Sequence, residues 1–305
     1  MTELGPTVII GGAQKAGTTS LYFYLAQHPD IHVSTIKEPG YFAFDAHQRW
    51  AGPAGRSFRA SLVTAPADYL NLFRAAGNAI HRCEASTYYL SSPDAPARIV
   101  EFDPAIRMIF LLRDPVERIR SAFHFLRQRG FEPLNDVLAG VRAWDERRSA
   151  GWPPYFDYIG LSSYATHLRR YLSFFPAESI LCINYERFRE SPISVLRDVE
   201  RFLGLPAHAS YNTGVRHNVT GASRFRMLQR VLDAGRADLR GKLRQLAPDW
   251  VHRTVVQLRA WNTQSGPRLD PAERDTLRVL LEEEVEGVRA LLGGEFTAEW
   301  QSFQP

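Results

Sequence analysis

Cysteine is nearly absent from this chain: two among 305 residues, Cys83 and Cys182. Two cysteines without metal-type spacing exclude a disulfide scaffold and a cysteine-built zinc site. Both lie in apolar, strand-like runs, so they read as buried free thiols suited to a reducing compartment. Long apolar runs are missing too. None approaches the roughly 20 residues that span a bilayer, and the N-terminus lacks a basic start followed by an apolar stretch. A soluble protein without membrane partner, cytoplasmic and bacterial, is the expectation. A strong charge surplus is also lacking: 37 Lys and Arg stand against 33 Asp and Glu, a net charge of +4, with arginine far outnumbering lysine. That balance suits an anionic small ligand. Without a known nucleic-acid module or an interleaved aromatic platform, it does not point to nucleic acid.

What is present is ordinary for a soluble globular chain: 45% hydrophobic and 23% charged residues. Strand-like runs at 7–11, 78–83, 106–112 and 179–184 alternate with helical segments. This predicts an α/β fold, a P-loop-like central parallel sheet of about four to five strands with helices on both faces, in a single domain over 1–305. Residues 65–76 read as a covering helix with Tyr69, Leu72 and Phe73 in the core. Tyr164, Leu168, Tyr171 and Phe175 fall at helical spacing, a stripe that reads as packing. Ser191-Pro192 marks a helix start that Gly204 ends. A long last helix begins at Asp270-Pro271-Ala272-Glu273 as a capping box, with Leu277, Leu280, Leu281, Val285, Val288 and Leu292 on its apolar face.

The densest local signal is Gly11-Gly12-Ala13-Gln14-Lys15-Ala16-Gly17-Thr18-Thr19-Ser20. It follows the apolar Val8-Ile9-Ile10 and opens an amphipathic segment. Strand, glycine turn and hydroxyl-rich helix start together make an anion cradle, because glycine admits close backbone approach and a helix N-terminus presents unpaired N–H groups. A turn with glycines kept only for packing is the alternative, and a lysine beside Thr-Thr-Ser weighs against it. Gly12 and Gly17 have the common phosphate-loop spacing, but Thr18 stands where that loop has lysine. No strand ends in an aspartate placed for magnesium. These departures argue against an ATPase or simple kinase and suit one 5′-phosphate with a leaving oxygen beside Lys15. The apolar run 106–112 ends at Arg113-Asp114-Pro115, where proline starts a helix. Arg113 and Ser121 could flank a second small anion. A surface pair of Arg113 with Asp114 or Glu117 is the plain alternative.

The two segments Gln14–Ser20 and Leu111–Pro115 with Arg118 and Ser121 resemble the paired nucleotide signatures of sulfotransferases, in bacterial members and in heparan-sulfate-type catalytic domains. The resemblance runs on through Lys37–Phe42, Glu84–Tyr89, Tyr164…Leu168…Phe175-Pro176…Ile180-Leu181, Phe202–Leu205 and Arg216–Val219, covering roughly residues 6–230 as a nucleotide-binding core, with a helical C-terminal part at about 231–305. It implies 3′-phosphoadenosine 5′-phosphosulfate as donor, 3′,5′-bisphosphoadenosine as product, no metal, and a small-molecule or carbohydrate acceptor. By the same resemblance Lys15 contacts the 5′-phosphosulfate, while Ala16, Gly17, Thr18, Thr19 and Ser20 hold the 5′-phosphate. Arg113 and Ser121 hold the 3′-phosphate, with Arg216 near it. Glu38 is the general base that takes the acceptor proton. A solvated Glu38 paired with Lys37 is the alternative. Many heparan-sulfate-type members carry a second lysine where this chain has Ala85, so either that cation is dispensable or Lys37, His81 or Arg82 replaces it. Residues 45–64 and 128–160 read as irregular, and their Trp50, Trp144, Trp152, Tyr155, Phe156 and Tyr158 are expected to wall the acceptor. A small-molecule kinase and a catalytically silent nucleotide or glycan binder are the competing functions.

Overall fold

Val8–Gly12 forms strand β1 with every residue buried. Alternate residues of a strand face opposite sides, so a strand buried throughout must be covered on both faces. A computed structural model describes residues 5–214, 222–223, 263–264 and 267–304. It shows the expected parallel sheet, with five strands: β1, β2 (Ile31–Val33), β3 (His81–Ala85), β4 (Arg107–Leu112) and β5 (Ile180–Asn184). Their order is β2-β3-β1-β4-β5, and all neighbours run parallel. β2 has no counterpart in the sequence reading; three residues carry no periodicity, and pairing with β3 is what makes them a strand.

Helices α1 (Thr18–Leu25), α2 (Gly55–Ser61), α3 (Pro66–Asn71) and α4 (Ala95–Phe102) precede β4. Between β4 and β5 come α5 (Pro115–Gln128), α6 (Val137–Arg142), α7 (Trp144–Ser149) and α8 (Tyr164–Leu172). After β5 come α9 (Tyr185–Glu190), α10 (Pro192–Leu203) and, near the C-terminus, α11 (Pro271–Leu292). The connection through α4 carries the chain from β3 across β1 to β4. The carboxyl end of β1 is therefore a point where neighbouring strands lead off in opposite directions, the usual ligand crevice of an open parallel sheet.

Several expectations change in detail. The stretches 45–64 and 128–160 hold short helices, α2 in the first and α6 and α7 in the second. The α6 start is capped by the Asp136 side chain, which accepts from the Ala139 N–H. The expected helix at 65–76 is α3 plus a tight turn at Arg74–Ala76, with Tyr69, Leu72 and Phe73 buried as anticipated. Leu280 leaves the expected seam of α11 and is 53% exposed, because Leu277, Leu281, Val285 and Val288 already complete a narrower buried row. The capping box at Asp270 and Glu273 forms in both directions. Ser191 precedes α10 without a side-chain cap, while Gly204 ends it at φ 71°, the left-handed region glycine favours. Cys83 is buried and Cys182 half-buried, and both are free thiols. No described helix is long and apolar enough to cross a membrane.

Behind α11 the chain returns to the sheet edge. Trp300 is fully buried, Asn184 Nδ2 donates to the Phe296 carbonyl at 2.7 Å, and Ser302 N–H donates to Asp114 Oδ2 at 2.9 Å. The C-terminal turn thus ties β5 and the start of α5 together.

Candidate active site

The turn after β1 is pinned from two sides. Ala13 N–H donates to the Leu111 carbonyl at 2.7 Å, and Gln14 Nε2 donates to the Tyr88 hydroxyl at 3.1 Å. Gly17 caps α1 at φ 87°, and a Cβ there would meet the Tyr185 ring at 3.1 Å. Glycine is needed at that position for its backbone angle and for the close ring. Thr18, Thr19 and Ser20 form the first turn of α1, as a phosphate cradle requires.

Lys15 has φ 68°, one of three non-glycine residues in the left-handed region among the described residues; Glu38 at 64° is another. Non-glycine residues held there cost about 1 kcal/mol or more and gather at functional sites. The Lys15 ammonium lies 3.9 Å from the centre of the Phe125 ring. Burial of this tip, on a residue half-buried overall, pushes its pKa down to about 7, and the charges of Arg113, Arg129, Lys37 and Arg118 add to the shift. Four neighbouring cations crowd this lysine, and one of them, Lys37, is paired with Glu38. An anion is what such a site stabilises.

Arg113 reaches this turn. Its Nη1 donates to the Lys15 carbonyl at 3.1 Å, and its guanidinium lies 4.9 Å from the Tyr185 ring centre. The alternative pairing with Glu117 is loose at 3.9 Å, because Glu117 has nearer partners in Arg120 at 2.8 Å and Arg274 at 3.3 Å. Asp114 is no partner for Arg113 either: its carboxylate caps α5 through the N–H groups of Val116 and Glu117. Ser121 lies one helical turn before Phe125, on the α5 face that meets Lys15. Its buried hydroxyl, Arg113 Nε and Arg118 Nη1 have no hydrogen-bond partner among the described residues. Buried polar atoms normally find partners, so the orphans on Arg113 and Ser121 fit an anionic ligand, whereas fully buried Arg118 is held by Ser162 and the Tyr158 carbonyl. The residues present therefore suit an anionic ligand.

Glu38 joins the same strand edge. Its N–H donates to the Ala85 carbonyl at 2.8 Å, and its Oε2 accepts from the Thr87 N–H at 2.8 Å and the Thr87 hydroxyl at 3.1 Å. Lys37 pairs with the other oxygen. The pairing weighed as an alternative in the sequence is thus present, together with two hydrogen bonds that aim the carboxylate. Of the three residues considered for the second lysine, His81 and Arg82 lie at the amino end of β3. There His81 bonds Thr7 and the Leu203 carbonyl, and Arg82 bonds the Gly5 carbonyl. Lys37 alone of the three lies by Glu38.

Behind Thr87, Glu84 is fully buried, and burial lifts its carboxyl pKa to about 8 against the opposing hydroxyls of Tyr89, Tyr69 and Ser86. Phe125, Arg129 and Tyr185 went unnoticed in the sequence; the i, i+4, i+8 spacing of Ser121, Phe125 and Arg129 along one helix face was the available signal. Arg216 lies outside the described residues. Of the aromatics expected to wall an acceptor, Tyr155, Phe156 and Tyr158 are buried in the core, whereas Trp50, Trp144 and Trp152 are partly exposed. Among the described residues no group of three or more His, Cys, Asp or Glu side chains could hold a metal ion.

A family model described as a sulfotransferase domain matches residues 5–229. The chain is 28% identical over 225 residues to human bifunctional heparan sulfate N-deacetylase/N-sulfotransferase 3, covering 68% of this chain and 23% of that protein. It is 27% identical over 216 residues to the mouse enzyme numbered 1, with the same coverage. The match spans under a quarter of those relatives. A crystal structure of a sulfotransferase from Alicyclobacillus acidocaldarius superposes with a TM-score of 0.76 at 25% identity, covering 97% of this chain and 98% of that one.

Proposed function

The chain belongs to the sulfotransferase family, and from that premise we propose that it moves a sulfuryl group from 3′-phosphoadenosine 5′-phosphosulfate to a hydroxyl, less readily an amine, of a carbohydrate or small molecule. The observation that supports the donor assignment best is the 3.1 Å contact between the Arg113 guanidinium and the Lys15 carbonyl, which brings the two segments of the proposed nucleotide site together.

In this reading the donor supplies an activated sulfur with a bisphosphate leaving group. The N–H groups and hydroxyls at the start of α1 orient the 5′-phosphate. Lys15 places its charge where the bridging oxygen gains negative charge as its bond to sulfur breaks. Arg113 and Ser121 hold the 3′-phosphate, which sets the register of the nucleotide along the crevice. Glu38, aimed by Thr87, takes the proton that the acceptor oxygen loses as it bonds to sulfur. Lys37 takes the place of the second lysine, beside Glu38. Positioning and fixed positive charge do the catalytic work, much as in phosphoryl transfer.

Thermal unfolding with added nucleotide tests this. At one hundred times its dissociation constant, 3′,5′-bisphosphoadenosine stabilises by about 2.7 kcal/mol and raises the midpoint by several degrees. ATP with magnesium should do much less. In Arg113→Ala the bisphosphate loses about 1.5–3 kcal/mol of binding, the value of a charge-assisted contact, while adenosine 5′-phosphate is nearly unaffected. Stabilisation by ATP–magnesium alone would favour the kinase. Stabilisation by bisphosphate with no transfer to a pooled set of acceptors would favour a silent binding protein.

A further inference from the structure

A cleft of about 310 Å³ opens beside Tyr88, at the small end of the range for sites that hold small molecules. Its walls are aromatic, from Phe44, Trp50, Trp144 and Trp152, and among the described residues Asp94 is the only formally charged side chain in its lining. The cleft is linked to the proposed chemistry through Tyr88. Tyr88 receives a hydrogen bond from Gln14, the residue before Lys15, and Thr87, the residue before Tyr88, holds the Glu38 carboxylate.

The walls are set by packing. Trp50 lies edge-on to Phe44 with ring centres 5.2 Å apart and leans on Phe58 at 4.9 Å. Trp152 packs on Phe156 at 4.8 Å, and a Cβ on Gly52 would come within 2.7 Å of its indole. Arg49 and Arg170 donate to the carbonyls of Gln48 and Ser91 at 2.8 and 3.4 Å without entering the lining, and from behind the Arg147 guanidinium lies 4.9 Å from the Trp152 ring centre. Its charge is already matched by buried Glu132 at 2.6 Å.

On the proposed sulfuryl-transfer reading, we infer that this cleft takes the acceptor as an uncharged, ring-bearing alcohol and discriminates against acidic glycan chains. Flat apolar walls stack against an aryl ring or the C–H face of a sugar, while Gln48 and Ser91 in the lining offer hydrogen bonds to its hydroxyls. A carboxylate-bearing sugar would lose hydration against the aromatic rings and meet Asp94, with no cation among the described lining residues to offset either cost.

Intrinsic tryptophan fluorescence and acceptor kinetics test this together. The probes are phenyl and methyl β-hexosides and simple phenols, set against an unsulfated hexasaccharide rich in glucuronic acid. The neutral probes should quench the wild-type protein saturably. Trp144→Ala should weaken that binding and raise acceptor KM at least about tenfold, the loss expected for removing an aromatic anchor. Trp144→Phe should recover most of both. A bisphosphate-induced thermal shift equal to wild type in each variant certifies the fold and the donor site. The inference is overturned if no neutral probe quenches saturably, or if the acidic hexasaccharide is the better acceptor and keeps its KM in Trp144→Ala. Failure of the sulfuryl-transfer reading shows separately, as a wild-type protein that bisphosphate does not stabilise; the fluorescence titration then decides the cleft on its own.

Discussion

Lys15 holds the sharpest residue-scale consequence. Its pKa of about 7 reflects burial and four neighbouring cations. A bound phosphate opposes both effects and raises it. Below pH 7 the ammonium is charged with or without ligand, so its contribution to affinity is flat. Above pH 7 binding must take up a proton, and affinity falls by up to about tenfold per pH unit until the raised pKa is passed. Titration calorimetry with 3′,5′-bisphosphoadenosine between pH 7 and 9 should show this slope and the accompanying proton uptake. Lys15→Gln should lose both, along with most turnover. A wild-type affinity independent of pH over that range would remove Lys15 from the phosphate site. The two candidate catalytic residues are also two of the three described non-glycine residues at positive φ, a feature that no single-residue propensity announces.

At the scale of elements, the arm between α5 and α8 matters most for the cleft. Glu132 and Arg147 form a buried two-point ion pair at 2.6 and 2.7 Å, and the Tyr158 hydroxyl donates to the same carboxylate at 2.8 Å. This triad holds α7 and its Trp144 against the core. Removing one member strands a buried charge, so Arg147→Ala should cost about 3–5 kcal/mol in urea unfolding and loosen the aromatic wall. The expected companion is a weaker tryptophan response to neutral hexosides in whatever folded protein remains. A loss under 1 kcal/mol would mean that the arm is anchored elsewhere. The Gly, Pro and Arg content of this arm hid its helices, because six-residue helices carry too few turns for a periodic signal.

For the whole molecule, buried Glu84 is one group through which pH acts on stability, beside Glu186, whose carboxyl burial raises to about 7. The folded pKa of Glu84, about 8, lies above the ordinary carboxylate value of 4.5. Between those values the folded state keeps a proton that the unfolded chain has released. Stability from this group therefore falls as pH rises from 4.5 to 8, by up to about 1.4 kcal/mol per unit. Glu84→Gln imitates the protonated form, so urea midpoints at pH 6 and pH 8 should differ less than in wild type. An unchanged difference would show that Glu84 is not the group responsible. The parallel sheet, the glycine turn, the helix after Pro115 and the capping box at Asp270 were legible in order along the chain, because each rests on contacts within a few residues: apolar runs, a fixed proline φ, a side chain reaching the next turn. Strand order, the approach of Arg113 to Lys15, the aiming of Glu38 by Thr87 and the Trp-lined cleft rest on contacts between residues 40 to 100 or more positions apart. Local propensity alone cannot register those, so folding decided them: closing the sheet with β1 between β3 and β4 carried their carboxyl ends, and the charges beyond them, into one crevice.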